Sequence, residues 1–193
     1  MTGLNKDKFF FFSDNFSNLE IYPNSLEHAY LAILQDELDA ARLIFSSLNS
    51  PRANWGVALI SILKGFIKKY PTYFQVRNFY EIDLDFLLKN NKIPYVEQML
   101  GALDFLSTIN QEVYKFAGRV MLENKLYSAC LKYFEKSKII FYNDPELHFL
   151  LAKYYLITHN KNEAEFYIDE CLNLLPEYYP ALQLKNRIEE LYI

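Results

Sequence analysis

Little glycine, little cysteine and no long apolar run limit this chain before any motif is read. Five glycines in 193 residues, beside 51% hydrophobic and 23% charged side chains, rule out a disordered or loop-rich polypeptide. Two cysteines, Cys130 and Cys171, are too few for a disulfide scaffold; inside helices they read as buried free thiols of a reducing cytoplasm. No stretch of about 18 apolar residues occurs, so no transmembrane span is expected. Lys6 and Lys8 precede Phe9–Phe12, but Ser13, Asp14 and Asn15 end that run short of a signal-peptide core. Basic excess is lacking as well. A net charge of −4 argues against nucleic acid as a partner. The three histidines, His28, His148 and His159, are scattered and form no ligand spacing, so neither a metal site nor a cofactor is expected. With no nucleophile–base pair, phosphate loop or paired carboxylates to point to, the sequence reads as non-enzymatic.

What the chain has is helix punctuation and aromatics, 17% of the residues, an abundance that A/T-rich coding alone accounts for. Between Pro145 and Pro176 lies one complete helix–turn–helix unit. Pro145 suits a first helical turn, and Leu147, Leu151, Ala152, Tyr155 and Leu156 follow at helical spacing. Asn160 is placed to cap a second helix with Glu163 completing a capping box; that helix carries Ala164, Ile168, Cys171, Leu172 and Leu175 and stops before Pro176. Thirty-four residues earlier, Gly118, Met121, Cys130, Phe134 and Ser137 repeat the sizes of Ala152, Tyr155, Ala164, Ile168 and Cys171. One more step reaches Leu84, Leu87, Val96, Leu100 and Leu103, which keep the apolar phase and lose the small residues.

This pattern resembles the tetratricopeptide repeat, with Ala152, Tyr155, Ala164, Ile168, Cys171 and Pro176 in signature places, and with His148 and His159 standing where the family has Trp and a turn Gly. The resemblance implies an all-α fold, a superhelix of stacked antiparallel helix hairpins. Residues 1–22 read as an aromatic N-terminal arm and 23–193 as one helical-repeat domain, clearest at 111–142 and 145–176, with a solvated capping helix over 178–192 whose inner stripe is Ala181, Leu182, Leu184 and Ile188. Along the way, Asn24 with Glu27, Asp36, Ser50 before Pro51, Asn110, and Asp144 before Pro145 are placed to start helices. Pro71 opens a helix running Phe74 to Lys89, Asn90-Asn91-Lys92 forms a turn, and Pro94 starts a partner that ends near Ser107 and Thr108.

In that family the first helix of each repeat lines a peptide-binding groove. Carried onto this chain, the groove positions are Glu112, Lys115, Arg119 and Leu122, then Glu146, Phe149, Lys153 and Leu156. Lys115, Arg119 and Lys153 then form a cationic track suited to an acidic peptide, with Phe149 and Leu156 as apolar anchors. Arg119 occupies the place of the Asn that members clamping a terminal carboxylate use. The function implied is a cytoplasmic adaptor or scaffold holding a peptide segment of another protein. Two alternatives stand beside it: a chaperone resembling those of bacterial secretion, masking hydrophobic segments of an exported protein, and a self-assembling subunit whose groove is filled by the 1–22 arm, including a homodimer built through that arm.

Overall fold

The computed structural model describes residues 24–67 and 69–191; the expected arm over 1–22 lies outside them. Among the described residues there are eleven helices and no strand. They group into two compact units, one through Ala102 and one from Leu103.

The first unit contains α1 (Leu26–Leu34), α2 (Leu38–Ser47), α3 (Pro51–Leu63), α4 (Tyr73–Lys89) and α5 (Ile93–Gly101). Helix α3 is its centre, with Ala53, Trp55, Gly56, Ala58, Leu59, Ile60 and Ile62 all buried. A helix enclosed on nearly every side cannot have one polar face, which explains the width of its apolar pattern. Three helices also meet at one buried charge. Asp83 on α4 accepts hydrogen bonds from Tyr30 of α1, at 3.3 Å, and from Arg52 and Trp55 of α3. Burial lifts the Asp83 carboxyl, and the Arg52 guanidinium and three donors oppose that rise.

The second unit contains α6 (Leu103–Ser107), the hairpin α7 (Val113–Glu123) with α8 (Tyr127–Ile140), the hairpin α9 (Pro145–Ile157) with α10 (Lys161–Leu174), and α11 (Tyr179–Leu191). In the α7–α8 hairpin a bulky residue of the second helix crosses a small one of the first. At Gly118, a Cβ would collide with the Phe134 ring. Thirty-four residues on, Ala152 and Ile168 take those places, both buried. The first unit uses the same device between α2 and α3, where the Phe45 ring lies on Gly56.

Each tight hairpin turn has one geometry. Asp36, Asn91, Lys125 and His159 all adopt φ between 55° and 64°. Each is followed by a residue whose N–H reaches back five positions: Glu37 to Ala32, Lys92 to Leu87, Leu126 to Met121 and Asn160 to Tyr155, at 2.8–2.9 Å. These are Schellman turns closing α1, α4, α7 and α9. Gly65 closes α3 the same way, with φ 75°. Asn91, Lys125 and His159 stand at one interval of 34 residues, so the turn phase persists into the copy that lacks small residues.

Several starts and stops differ from expectation. Ser25, not Asn24, caps α1 by accepting from the N–H of His28, and Asn24 takes φ 58°. Asp36 is the left-handed turn residue, which leaves Glu37 at the start of α2 with no side-chain cap. Thr72, not Pro71, opens α4, because it builds a reciprocal capping box with Gln75. The helix expected from Pro94 to Ser107 breaks at Ala102 into α5 and α6, where one unit ends and the next begins. On α11, Ala181 and Ile188 are buried, whereas Leu182 is exposed. Leu175, expected on the inner face of α10, lies beyond the last helical turn and is exposed. Ser50 and Asp144 cap as expected; Asn160 caps α10 by accepting from the Glu163 N–H, but the expected capping box does not form, since the Asn160 N–H bonds to the Tyr155 carbonyl.

Candidate functional site: the wall formed by α7 and α9

Helices α7 and α9 are the first helices of consecutive hairpins, and short ionic links hold them side by side. Lys115 enters this seam from the first turn of α7. Its ammonium lies 2.5 Å from Asp144, 3.0 Å from Glu146 and 3.5 Å from Glu112, and its side chain is only 2% exposed. Burial alone would lower its pKa, yet Glu146, Asp144 and Glu112 outweigh that, so the ammonium is held more firmly protonated than a free lysine. One turn further along α7, Arg119 Nη2 stands 2.7 Å from the other oxygen of Glu146. Burial raises the Glu146 carboxyl, but the two cations pull it below the ordinary glutamate range.

Asp144 does double work at the start of α9. Its Oδ1 accepts from the N–H groups of Glu146 and Leu147, while its Oδ2 receives the Lys115 ammonium. A carboxylate at a helix N-terminus also meets the positive end of the helix dipole.

Beyond the ionic seam the wall becomes aromatic. The Phe149 ring meets Tyr178 edge-on, with centroids 5.5 Å apart, and Lys153 Nζ sits 5.8 Å from the Phe149 centroid. Phe149, Lys153 and Tyr178 are all half-buried.

The expected site residues therefore have different fates. Lys115 is sealed inside the seam, and Leu122 is buried at 5% exposure; both build the wall. Arg119 is engaged with Glu146. Phe149, Lys153 and Leu156 keep accessible surface. Two cations of the expected track, Lys115 and Arg119, are engaged by Glu112, Asp144 and Glu146, while Lys153 lies beside the Phe149 ring. Sequence reasoning missed Asp144 and Glu146 as the track's counter-charges, though both stand at the start of the next helix, where acids are favoured. Tyr178, expected as the first residue of the capping helix and not on its inner stripe, lies just before α11 and was missed as an aromatic partner.

No group of three His, Cys, Asp or Glu side chains among the described residues is arranged to hold a metal ion. Cys130 and Cys171 are buried free thiols, pushed by burial to pKa values of about 12 and about 11. No described helix is long and apolar enough to cross a membrane.

No protein-family model and no curated protein matches this chain. Among solved structures it is similar to the thermophilic TPR protein TTC0263 of Thermus thermophilus, at 17% identity, with 86% of this chain and 95% of that one covered and a TM-score of 0.43. A likeness of that order assigns no residue a role.

Proposed function

We propose that the protein is a non-enzymatic interaction scaffold of the cytoplasm that holds a peptide segment of another protein against the α7–α9 wall. The observation that carries this reading is the alignment of two consecutive first helices by the Lys115–Asp144–Glu146–Arg119 links, beside which Phe149, Lys153 and Tyr178 keep accessible surface. An aromatic pair beside a single cation suits a segment that contributes an apolar side chain and an adjacent carboxylate. Leu156, further along α9, extends the apolar strip. Lys115, Arg119 and Leu122 support the site by fixing the wall. The two buried thiols agree with a reducing compartment.

The test is affinity capture from a lysate of the native host with wild-type protein, Phe149→Ala and Lys153→Glu, each first shown to unfold at the wild-type urea midpoint. The expected result is one set of retained proteins that Phe149→Ala loses, with affinity reduced about tenfold as for an interface anchor. Retention unchanged by both substitutions would remove the wall as the binding surface. Charge reversal at Lys115 is no substitute, because it would break the wall itself.

A further inference from the structure

In the second unit Lys115 and Arg119 are engaged by Glu112, Asp144 and Glu146, whereas the first unit keeps a cluster of cations at its surface. Between α2 and α3 lies a cleft of about 280 Å³ lined by Asp39, Arg42, Val57, Ile60, Lys64 and Phe66, with Ser61 and Lys69 completing it. Its apolar floor is Val57 and Ile60, and Phe66, half exposed at 48%, stands at its mouth. Its rim carries three cations against one acid in a chain whose net charge is −4. Lys64 meets Asp39 at 2.5 Å, but Asp39 is 77% exposed, and an exposed pair of that kind is readily reopened. Arg42 and Lys69 are exposed and lie in no ion pair among the described residues.

We propose that this cleft docks a short segment of another protein that offers one aromatic side chain flanked by carboxylates. The volume lies just under the roughly 300 Å³ at which small-molecule pockets begin, and so fits a side chain better than a free ligand. The rim charges specify the flanks. The site already stabilises an anion: hydrogen bonding and attraction from Lys64, then attraction from Arg42, hold the Asp39 carboxyl below its usual range. The mouth is also fixed in advance. Gly65 takes φ 75°, its N–H bonds to Ile62 at 2.8 Å, and the Phe66 N–H bonds to Ser61 at 3.1 Å. A rim that is ordered before binding loses little entropy on binding. Ser61 donates its hydroxyl proton to the Val57 carbonyl at 3.3 Å, so its oxygen stays available as an acceptor.

The cleft belongs to the first unit and the α7–α9 wall to the second, and one titration distinguishes them. Full-length protein is added to a fluorescein-labelled peptide, Ser-Asp-Asp-Phe-Asp-Asp-Ser, and anisotropy is followed at low and physiological ionic strength. Saturable binding that weakens with salt is expected, together with a loss of about tenfold in Arg42→Ala/Lys69→Ala and a similar loss when Ala replaces Phe in the peptide. Circular dichroism of the double variant should match wild type. Absence of saturation overturns the proposal, as does binding by the double variant within about twofold of wild type. Weakening by Phe149→Ala would place the peptide on the second unit instead. Tighter binding by Phe10→Ser/Phe11→Ser would show that the chain's own N-terminal segment competes for the cleft, which overturns the assignment to another protein.

Discussion

Lys115 of α7 and Asp144, the N-cap of α9, form an ion pair inside the second unit, their side chains 2% and 8% exposed. The same carboxylate that starts one helix thus anchors an earlier one. Removing the cation would strand the charge it neutralises. Lys115→Met keeps the aliphatic bulk and is expected to destabilise the protein by about 3 kcal/mol, because a buried partner left unpaired keeps its desolvation cost. Urea unfolding at neutral pH should show a lower midpoint with an unchanged slope. Adding Asp144→Ser, which retains a cap without charge, should recover part of the loss. A change under about 0.5 kcal/mol would place this pair among surface contacts.

Gly118 and Phe134 make a second testable pair. A methyl group at 118 would overlap the Phe134 ring, whose side chain is fully buried and has little room to shift. Gly118→Ala would gain up to about 1 kcal/mol in helix propensity, but overpacking a closed crossing costs about 1–3 kcal/mol, so net destabilisation is expected. The next repeat already contains the compensation, Ala152 against Ile168. Gly118→Ala/Phe134→Ile should therefore be more stable than Gly118→Ala alone, measured by the same urea midpoint. A double variant no better than the single one would mean that the two crossings are not equivalent.

Those crossings were readable in advance because they depend on side-chain size at a fixed interval, and a sequence displays size directly. The caps at Ser50, Asp144 and Asn160 were readable for a related reason: each needs only a short polar side chain two or three residues before an amide. The failures have physical causes too. Asn24 and Ser25 are equally good caps by composition, and only the backbone, left-handed at Asn24, decides between them. Turns were expected at Asn90-Asn91-Lys92 and at His159, but their common left-handed geometry was not, because Asp36, Asn91, Lys125 and His159 share a conformation and differ in side chain. The burial of Lys115 depends on acids 29 and 31 residues away, at 144 and 146, and no local pattern carries that pairing. The α2–α3 cleft was invisible for the same reason, since its rim is assembled from two helices and the turn after them.

The turns supply a third prediction. Lys125 is exposed, forms no ion pair among the described residues, and holds φ 61°, a region that disfavours any residue with a Cβ. Lys125→Gly removes that strain at a Schellman position and should stabilise the protein by about 1 kcal/mol, read as a higher urea midpoint. Asn91→Gly should gain less, because Asn tolerates the left-handed region. Asp36→Gly should gain least, since it also forfeits the 2.8 Å pair with Lys92. An unchanged or lower midpoint for Lys125→Gly would argue that the turn is not left-handed in solution.

His148 gives the molecule a pH dependence whose sign can be worked out. The ring is fully buried on α9, edge-on to Tyr142 at 4.8 Å and stacked on Tyr167 at 5.9 Å. Its Nε2 lies 2.9 Å from the Tyr142 carbonyl oxygen, to which a neutral ring protonated there donates, while Nδ1 has no hydrogen-bond partner among the described residues. Burial is the main influence and lowers the pKa below 6.5. The Tyr142 carbonyl, Glu170 on α10 and Asp144 at the head of α9 pull upward, and Lys138 on α8 adds to the lowering. With the folded pKa below the unfolded one, the unfolded chain takes up the proton first. The contribution is complete above the ordinary histidine range and is lost as pH falls through about 6.5 and below. Glu146 acts lower on the scale: its depressed pKa stabilises the fold above the ordinary glutamate range, near 4.5, and that contribution fades in stronger acid. Urea midpoints measured from about pH 7.5 down to 5.5 should therefore decline in wild type and stay nearly flat in His148→Phe, leaving only the carboxylate loss at lower pH. Parallel curves for the two proteins would mean that His148 titrates alike folded and unfolded, and the ring could not then be sealed between Tyr142 and Tyr167.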